Sequence, residues 1–439
     1  MRTTVRALPV LRALPVPLVL ALALVLWSAA PVALADPSEQ PAAERAYRAV
    51  GPEVAGGASQ AQAPMIAPGL HLDTFAKGSR DDMDDTGTVR FYRIAVGGGQ
   101  RVHAAATIAA PPYPDGLPET PEDLGLDLAL LTAGGDTCTD GGYADVGESY
   151  TGDGPVTSTV VSDVMGWDGC AGEQLFLRVT RTGGRAAEEP LPVEIQVAIE
   201  PVGIGGGAPS VTEPIVDDGA SPVPPADEEE LVPGRSFATA AEVEPGSYVL
   251  SLVPGEVAML RLEVAEGQRL RWRVEVTSQP EQAGTLSLRV ANAVRDQVTV
   301  DGGDLLLGGG DPVDGGGMTA PVDRGNRGSD VASIASTWLP GTHTVTLQRL
   351  QLSEGADPAS AEPITVVLTL ELDGEPAEDA PEGSVLELGE PFLERGPLAR
   401  LGLDAAGVRL LQIGGAGALT LLGLLLGLSG VLVLRRRRG

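Results

Sequence analysis

Four aspartates crowd one short stretch of the chain, Asp81, Asp82, Asp84 and Asp85. Hard carboxylate oxygens gathered on a single loop are the ligands that Ca²⁺ takes, so this loop is the one candidate calcium site of a chain for which no cofactor is otherwise expected. The spacing is not that of an EF-hand loop, which needs Gly at its sixth position and Glu at its twelfth. A solvated acidic loop is the plain alternative. Other chemistry is sparse. His71, His103 and His343 have no histidine partner at i+2 or i+4, so no zinc motif forms. The stretch 147–151 reads GESYT and fails G-x-S-x-G. Lys77 is the lone lysine, so no G-x-x-x-x-G-K-[ST] loop exists, and the glycine runs in 302–310 and 315–317 read as long loops. No catalytic residue and no cofactor-binding residue is assigned.

The two cysteines, Cys138 and Cys170, are expected to form a disulfide, because a lone pair in an exported chain usually does. Closing the loop between them is worth about 3–4 kcal/mol by the chain-entropy estimate.

The elements that hold these residues repeat. The stretch 91–102 reads FYRIAVGGGQRV and 259–270 reads MLRLEVAEGQRL, with Arg93/Arg261, Val96/Val264, Gly99/Gly267, Gln100/Gln268 and Arg101/Arg269 matching without a gap. Each copy alternates apolar with polar residues and breaks at a Gly-Gln-Arg turn, the pattern of a half-buried β-strand. Upstream, 68–78 and 245–255 both run from Pro-Gly to Gly, and copy one then carries the extra stretch 79–87 that holds the aspartates. Near the ends, 175–179 and 193–199 parallel 344–350 and 364–372. Short alternating strands between Gly/Pro/Asp turns predict antiparallel sandwiches.

The termini indicate where the chain works. Residues 1–35 have the basic start, apolar run and Ala33-Leu34-Ala35 site of a secretory signal peptide. Residues 410–434 carry no charge, about 37 Å of helix, and four arginines follow at 435–438. That order predicts a single-pass cell-membrane protein with its bulk outside and an arginine tail, 435–439, in the cytoplasm. No LPxTG-like sorting pentapeptide precedes the span. Gly423 and Gly427 form one GxxxG pair, a possible homodimer face. Between the termini the reading is a flexible lead-in at 36–65, a first β-sandwich at 66–201, a linker at 202–232, a second sandwich at 233–373 and a stalk at 374–409.

The chain carries a net charge of −30, with 60 acidic against 30 basic residues. Seven of the basic residues lie in the leader and the tail, so the exterior is more acidic still. Such a surface repels nucleic acid and anionic lipid and is expected to hold the two domains apart. One lysine among 30 basic residues suggests a GC-rich bacterial genome of actinobacterial type. Aromatics make up 3% of the chain, too few for a typical sugar-binding face. By alternation Trp272 belongs to the core; Trp167 is expected against the disulfide; Trp338, before a turn, is the candidate for exposure.

The strand FYRIAV, its Gly-Gln turn, LGLDLALLTAGG at 124–135, EQLFLRVTRTGG and PVEIQVAIE together resemble the bacterial prepeptidase C-terminal (PPC) domain. That family shows a Y-x-F-x-V-x-x-G strand, a D-L-D-L-x-L strand and a final Y-x-L-x-V hairpin. Copy two is similar at both ends but lacks, in TLSLRV at 285–290, the aspartate seen at Asp127. The resemblance implies all-β, jelly-roll-like sandwiches, usually non-catalytic and attached to secreted enzymes or surface proteins. The sequence therefore predicts a tandem of PPC-like modules plus one C-terminal transmembrane helix. Its expected role is non-enzymatic, as an accessory or scaffold for a protein partner in the envelope. A passive spacer and a metal-assisted hydrolase using Asp81–Asp85 are the rivals.

Overall fold

The computed structural model describes residues 46–79, 87–139, 146–150, 153–167, 169–204, 207–209, 211, 222, 224, 227–300, 303–378 and 385–389. They are overwhelmingly β. The first half supplies β1 (Met65–Ile66), β2 (Gly69–Phe75), β3 (Val89–Ala95), β4 (Arg101–Ile108), β5 (Leu124–Leu131), β6 (Val146–Tyr150), β7 (Val156–Val161), β8 (Gln174–Thr182) and β9 (Leu191–Glu200). They form two sheets, ordered β1-β3-β8-β5-β6 and β2-β9-β4-β7. Alternation drives one face of each inward. Tyr92, Ile94, Leu126, Leu128, Leu175 and Leu177 meet Val102, Ala104, Val193, Ile195 and Val197 in one apolar core.

The second half supplies β10 (Glu229–Glu230), β11 (Ala241–Glu242), β12 (Gly246–Leu252), β13 (Glu256–Val264), β14 (Arg269–Ser278), β15 (Gly284–Ala291), β16 (Gln297–Val298), β17 (Asp304–Leu307), β18 (Val313–Met318), β19 (Gly341–Arg349) and β20 (Ile364–Asp373). Its sheets run β11-β13-β19-β15-β16, with β17 also on β15, and β10-β12-β20-β14-β18. The two halves share a topology: β2-β9-β4 corresponds to β12-β20-β14, and β3-β8-β5 to β13-β19-β15. The repeated turn explains itself. Gly99 and Gly267 adopt φ +81° and +92°, a left-handed conformation that favours glycine. Each donates its N–H across the sandwich end at 2.8 Å, to Met165 and to Val322. The following glutamine then caps the turn, Gln100 accepting from Gly97 and Gln268 from Ala265.

The duplication begins further upstream than the sequence reading placed it. Glu53 bridges Leu72 in parallel as Glu230 pairs Val249, and Gly57 bridges Phe91 as Gly234 bridges Met259. Residues 53–69 and 230–246 thus correspond at a constant offset (230 − 53 = 177), with Glu53/Glu230, Gly57/Gly234, Ser59/Ser236, Ala61/Ala238, Ala63/Ala240, Pro68/Pro245 and Gly69/Gly246 identical. A Cβ at Gly57 would strike the backbone of Gln62, and one at Gly234 that of Thr239. From residue 46 the supposed flexible lead-in is therefore built into the sandwiches, with Tyr47, Val50 and Ala63 buried. At the other boundaries, β10 draws the last residues of the expected linker into a sheet. Residues 385–389, expected as stalk, lie against the first sandwich, where Glu387 exchanges backbone hydrogen bonds with Ile199 at 2.9 and 3.0 Å.

A buried arginine recurs at one topological position, Arg181 on β8 and Arg349 on β19. Arg349 donates from Nε to Ala283 O (3.2 Å), from Nη1 to Leu252 O and Glu362 O (3.2 and 2.6 Å), and from Nη2 to Ser360 O (2.6 Å). Arg181 reaches Phe75 O, Glu189 O, Arg185 O and Ala186 O, and Phe75 is the counterpart of Leu252. Burial pushes each guanidinium down to about 10, so both stay charged at neutral pH. They are cationic pins that satisfy carbonyls at one strand end and in the adjoining loops.

Several expectations meet the structure here. Cys138 and Cys170 are bonded, with Cα atoms 5.2 Å apart, inside the first core. Trp272 is fully buried. Trp167 is 73% exposed and Trp338 only 5%, the reverse of the sequence expectation. The run 315–317 is edge strand rather than loop: a Cβ at Gly315 would strike Leu305, so glycine lets β17 and β18 approach closely. Among the described residues no helix is long and apolar enough to cross a membrane, and the span at 410–434, with Gly423 and Gly427, lies outside them. Replacing Arg349 with Met strips donors from four carbonyls, three of them on buried residues. Urea denaturation should show a loss of about 3 kcal/mol, with the disulfide intact.

Candidate functional site

Strand alternation leaves His103, Ala105 and Thr107 of β4, and Glu194, Gln196, Ala198 and Glu200 of β9, on the outer face of the first sandwich. A solvated face would explain the charges, but Glu194, Glu200, His103, Ala198 and Thr107 are all buried. The second sandwich covers them. It presents Val257, Met259 and Arg261 of β13 and Thr342 and Thr344 of β19. The Asn292–Asp296 turn and Trp338 complete the covering surface. Both sandwiches belong to one compact unit, not the separated pair that the net charge suggested.

Charge pairing outweighs that repulsion locally. Arg295 stands at φ +67° in a turn whose Asn292 Oδ1 accepts from the N–H groups of Val294 (3.0 Å) and Asp296 (3.1 Å). This strained residue sends Nη2 to Glu194 Oε1 and Nη1 to Thr107 Oγ1, the latter at 3.0 Å. Val50 N–H caps the other Glu194 oxygen at 3.0 Å. Tyr47 is buried beside the pair; burial first, then the Glu194 charge, pushes its phenol well up. The second lock is Glu200. His103 Nε2 lies 2.8 Å from its Oε2, and since a carboxylate only accepts, that nitrogen carries the hydrogen. Arg327 Nη1 grips both oxygens at 2.7 and 2.8 Å. Trp338 stacks on His103 at 5.6 Å and lies under Arg327 at 4.6 Å. Burial alone would raise Glu200, but the His103 hydrogen bond and the Arg327 charge outweigh it and hold the carboxyl below its usual range.

A third set of contacts closes the opposite rim. Gln351 clasps the Tyr113 backbone through both ends of its amide, at 2.7 and 2.8 Å. The Gln351 N–H meets both oxygens of Asp153 at 3.1 Å, while burial raises the Asp153 carboxyl. Leu117 and Ser353 form a parallel bridge.

Beside Arg295 of the first lock lies a cleft of about 390 Å³. Its walls carry Gln196, Asn292, Arg295, Thr342, Thr344 and Arg261 beside Leu70 and Phe237, and Leu386, Leu388 and Gly389 border it. Leu386 is buried with Ala198, Val294, Trp338 and Leu339, so the strap 385–389 ties the two sandwiches together. The cleft is lined by amides, hydroxyls, two arginines and apolar side chains.

The sequence-based candidates are distributed otherwise. Asp81, Asp82, Asp84 and Asp85 lie outside the described residues. Among the described residues no group of three or more His, Cys, Asp or Glu could hold a metal ion. His71 Nε2 lies 2.8 Å from Ala67 O, away from the junction. His343 is sealed in the second core with its pKa lowered by burial, and its Nδ1 faces Gly341 O at 3.0 Å. Only His103 reaches the junction. Glu194, Glu200, Arg295 and Arg327 were missed. The available signal was the small, mostly uncharged outer face of β4 and β9, where a solvated sheet carries long polar side chains.

No family model matches the chain, and no curated protein matches it in sequence. Among solved structures, it is similar to the N-terminal CBM22-1–CBM22-2 tandem domain of Xyn10C from Paenibacillus barcinonensis. Identity is 11% and the TM-score 0.20, covering 70% of this chain and 92% of that one. It is also similar to the ANX1 ectodomain from Arabidopsis thaliana, at 9% identity and a TM-score of 0.18, covering 68% of this chain and 88% of that one. Likenesses this distant carry nothing further.

Two outcomes follow for the junction. Arg295→Met strands Glu194 in a dry site and should cost about 3–5 kcal/mol in denaturant titrations. Adding Glu194→Leu should recover most of it, giving a coupling well above 1 kcal/mol in the double-mutant cycle. Glu200 has a folded pKa below its unfolded one, so the unfolded state binds more protons as acid is added. Its stabilisation is complete above about pH 5 and fades below the unfolded value of about 4.3. The stability gap between the native protein and Glu200→Gln should therefore shrink as pH falls from 6 to 3.

Proposed function

We propose that the chain is a non-enzymatic, membrane-anchored cell-surface protein and that its jelly-roll-like, PPC-like sandwiches act as one interaction module for another envelope or secreted protein. The observation that carries this reading is the docking of the sandwiches through buried ion pairs into a composite surface with a cleft of its own. A passive spacer gains nothing from two carboxylates sealed at a junction, since a flexible linker separates domains with less constraint. The cleft lining supports recognition: apolar contact with a few placed amides and hydroxyls suits binding. The anchor and the export of the bulk of the chain rest on the sequence of 410–438 and of 1–35.

The test is residue-specific photocrosslinking in native membranes, with the photoreactive residue at Ala238 on the cleft wall. A reproducible protein neighbour is expected. A passive spacer would return no neighbour above background, and that result would overturn the proposal.

A further inference from the structure

Successive residues of a strand turn their N–H and C=O groups to alternate sides. Gly303 and Leu305 turn theirs toward β15: Leu288 N–H donates to Gly303 O, and Leu305 lies opposite Leu286. Asp304 and Leu306 of β17 therefore turn theirs away from the sheet, where neither finds a backbone partner among the described residues. Leu306 also carries its side chain on the outer face, 82% exposed. Strand edges are usually blunted by charged side chains or proline. Thus β10, at an edge of the other sheet, is Glu229-Glu230. In the first sandwich β6 is the counterpart of β17, and the register sets Ser149 where β17 has Leu306. The edge of β17 has lost that protection and gained an exposed leucine.

We propose that β17 pairs antiparallel with β17 of a second copy of this chain, on a two-fold axis at Leu306. At the axis each Leu306 N–H donates to the other copy's Leu306 carbonyl, and the two leucine side chains cover one another. One step out, Asp304 faces Gly308 of the other copy. Arg289 already holds both Asp304 oxygens, at 2.8 and 3.3 Å, so no bare charge is brought to the axis, and the glycine leaves the ion pair its space. A second copy meets leucine with leucine and the ion pair with glycine by symmetry alone; a foreign strand needs both by coincidence. The edge also continues the established interface. Leu306 shares the outer face of β15 and β19 with the residues that cover the first sandwich. Tyr150 of that sandwich, 42% exposed, lies close enough to Arg289 and Asp304 for their charges to act on its phenol. The net charge of −30 opposes the contact at long range, so pairing strengthens as salt is added.

Cysteine trapping on the full chain in detergent tests this. Directly opposed, hydrogen-bonded residues stand about 5.5 Å apart at Cα, within reach of a disulfide. The native cysteines are bonded to each other and do not compete. Under mild oxidation Leu306→Cys should form a crosslinked dimer about tenfold faster than Val232→Cys, which is 88% exposed and lies outside β17. Both positions are exposed, so neither change threatens the fold. In sedimentation, the dimer fraction of the native chain should rise with added salt. Leu306→Lys should weaken dimerisation about tenfold or more, because it removes the apolar contact and sets two ammonium groups at the axis. Equal crosslinking by the two cysteine variants, a native chain that stays monomeric at high salt, or a dimer unchanged by Leu306→Lys each overturns the proposal. The last of these would place the contact elsewhere, Gly423 and Gly427 included.

Discussion

A carboxylate sealed between two sheets must meet a cation there, and Glu194 and Glu200 impose that condition on the whole molecule. Both lie on the outer face of β9, and the second sandwich answers each with one arginine. Buried pairs of this kind add little net stability, because desolvation offsets most of the attraction. Their effect is on register. A shift of one sandwich over the other would strand a charge at a cost of several kcal/mol. The docking angle, the walls of the cleft and the seat of the strap all inherit that register.

The duplication makes the asymmetry of this arrangement informative. The first sandwich docks with its β2-β9-β4 face and the second with its β13-β19-β15 face, so the interface joins unlike surfaces. Repeated, such a contact would continue head to tail. The second sandwich blocks continuation on the face equivalent to the one the first has buried. Where β4 and β9 carry His103, Ala105, Ala198 and Glu200, the matching positions on β14 and β20 are Arg271, Arg273, Glu371 and Asp373. Arg269 and Arg271 share Asp373 at 2.6 and 3.8 Å, and Arg273 meets Glu275 and Asp314 at 2.7 and 3.5 Å. A lattice of partly exposed ion pairs is satisfied in water and resists being covered. One ancestral face has become an interface and the other a solvated surface, with the strand order unchanged.

Much of this was legible in the residues, up to the boundary of a single sandwich. Alternation in 91–102 and 259–270 gave the strands, the Gly-Gln turn gave their break, and the cysteine pair gave the crosslink. The upstream part of the repeat escaped because its identities fall on Gly, Ala, Ser and Pro, whose role is backbone approach rather than a hydrophobic rhythm. The junction escaped for a different reason. Alternation reports which face of a strand meets its own core and is silent on a second body, so it puts Glu194 and Glu200 on the outer face and says nothing of what covers them. Trp338 and Trp167 exchanged places on the same logic. The former is covered by the neighbouring sandwich, and the latter stands clear of a disulfide that the core already buries.

The strap and the cleft draw on the same side chains. Leu386 sits in the cluster that holds the sandwiches together, and Leu386 and Leu388 border the opening. Whatever fills the cleft therefore changes the environment of the segment that latches it, and thermodynamic linkage requires the converse. A ligand that packs on Leu388 stabilises the seated strap by as much as the seated strap improves its binding. One that needs the space Leu388 takes must lift it. The described chain leaves the second sandwich, returns to pair with β9 and ends at Gly389 on the cleft wall. Occupancy of the cleft and the seating of residues 385–389 are thus coupled through one backbone pairing and a single buried leucine.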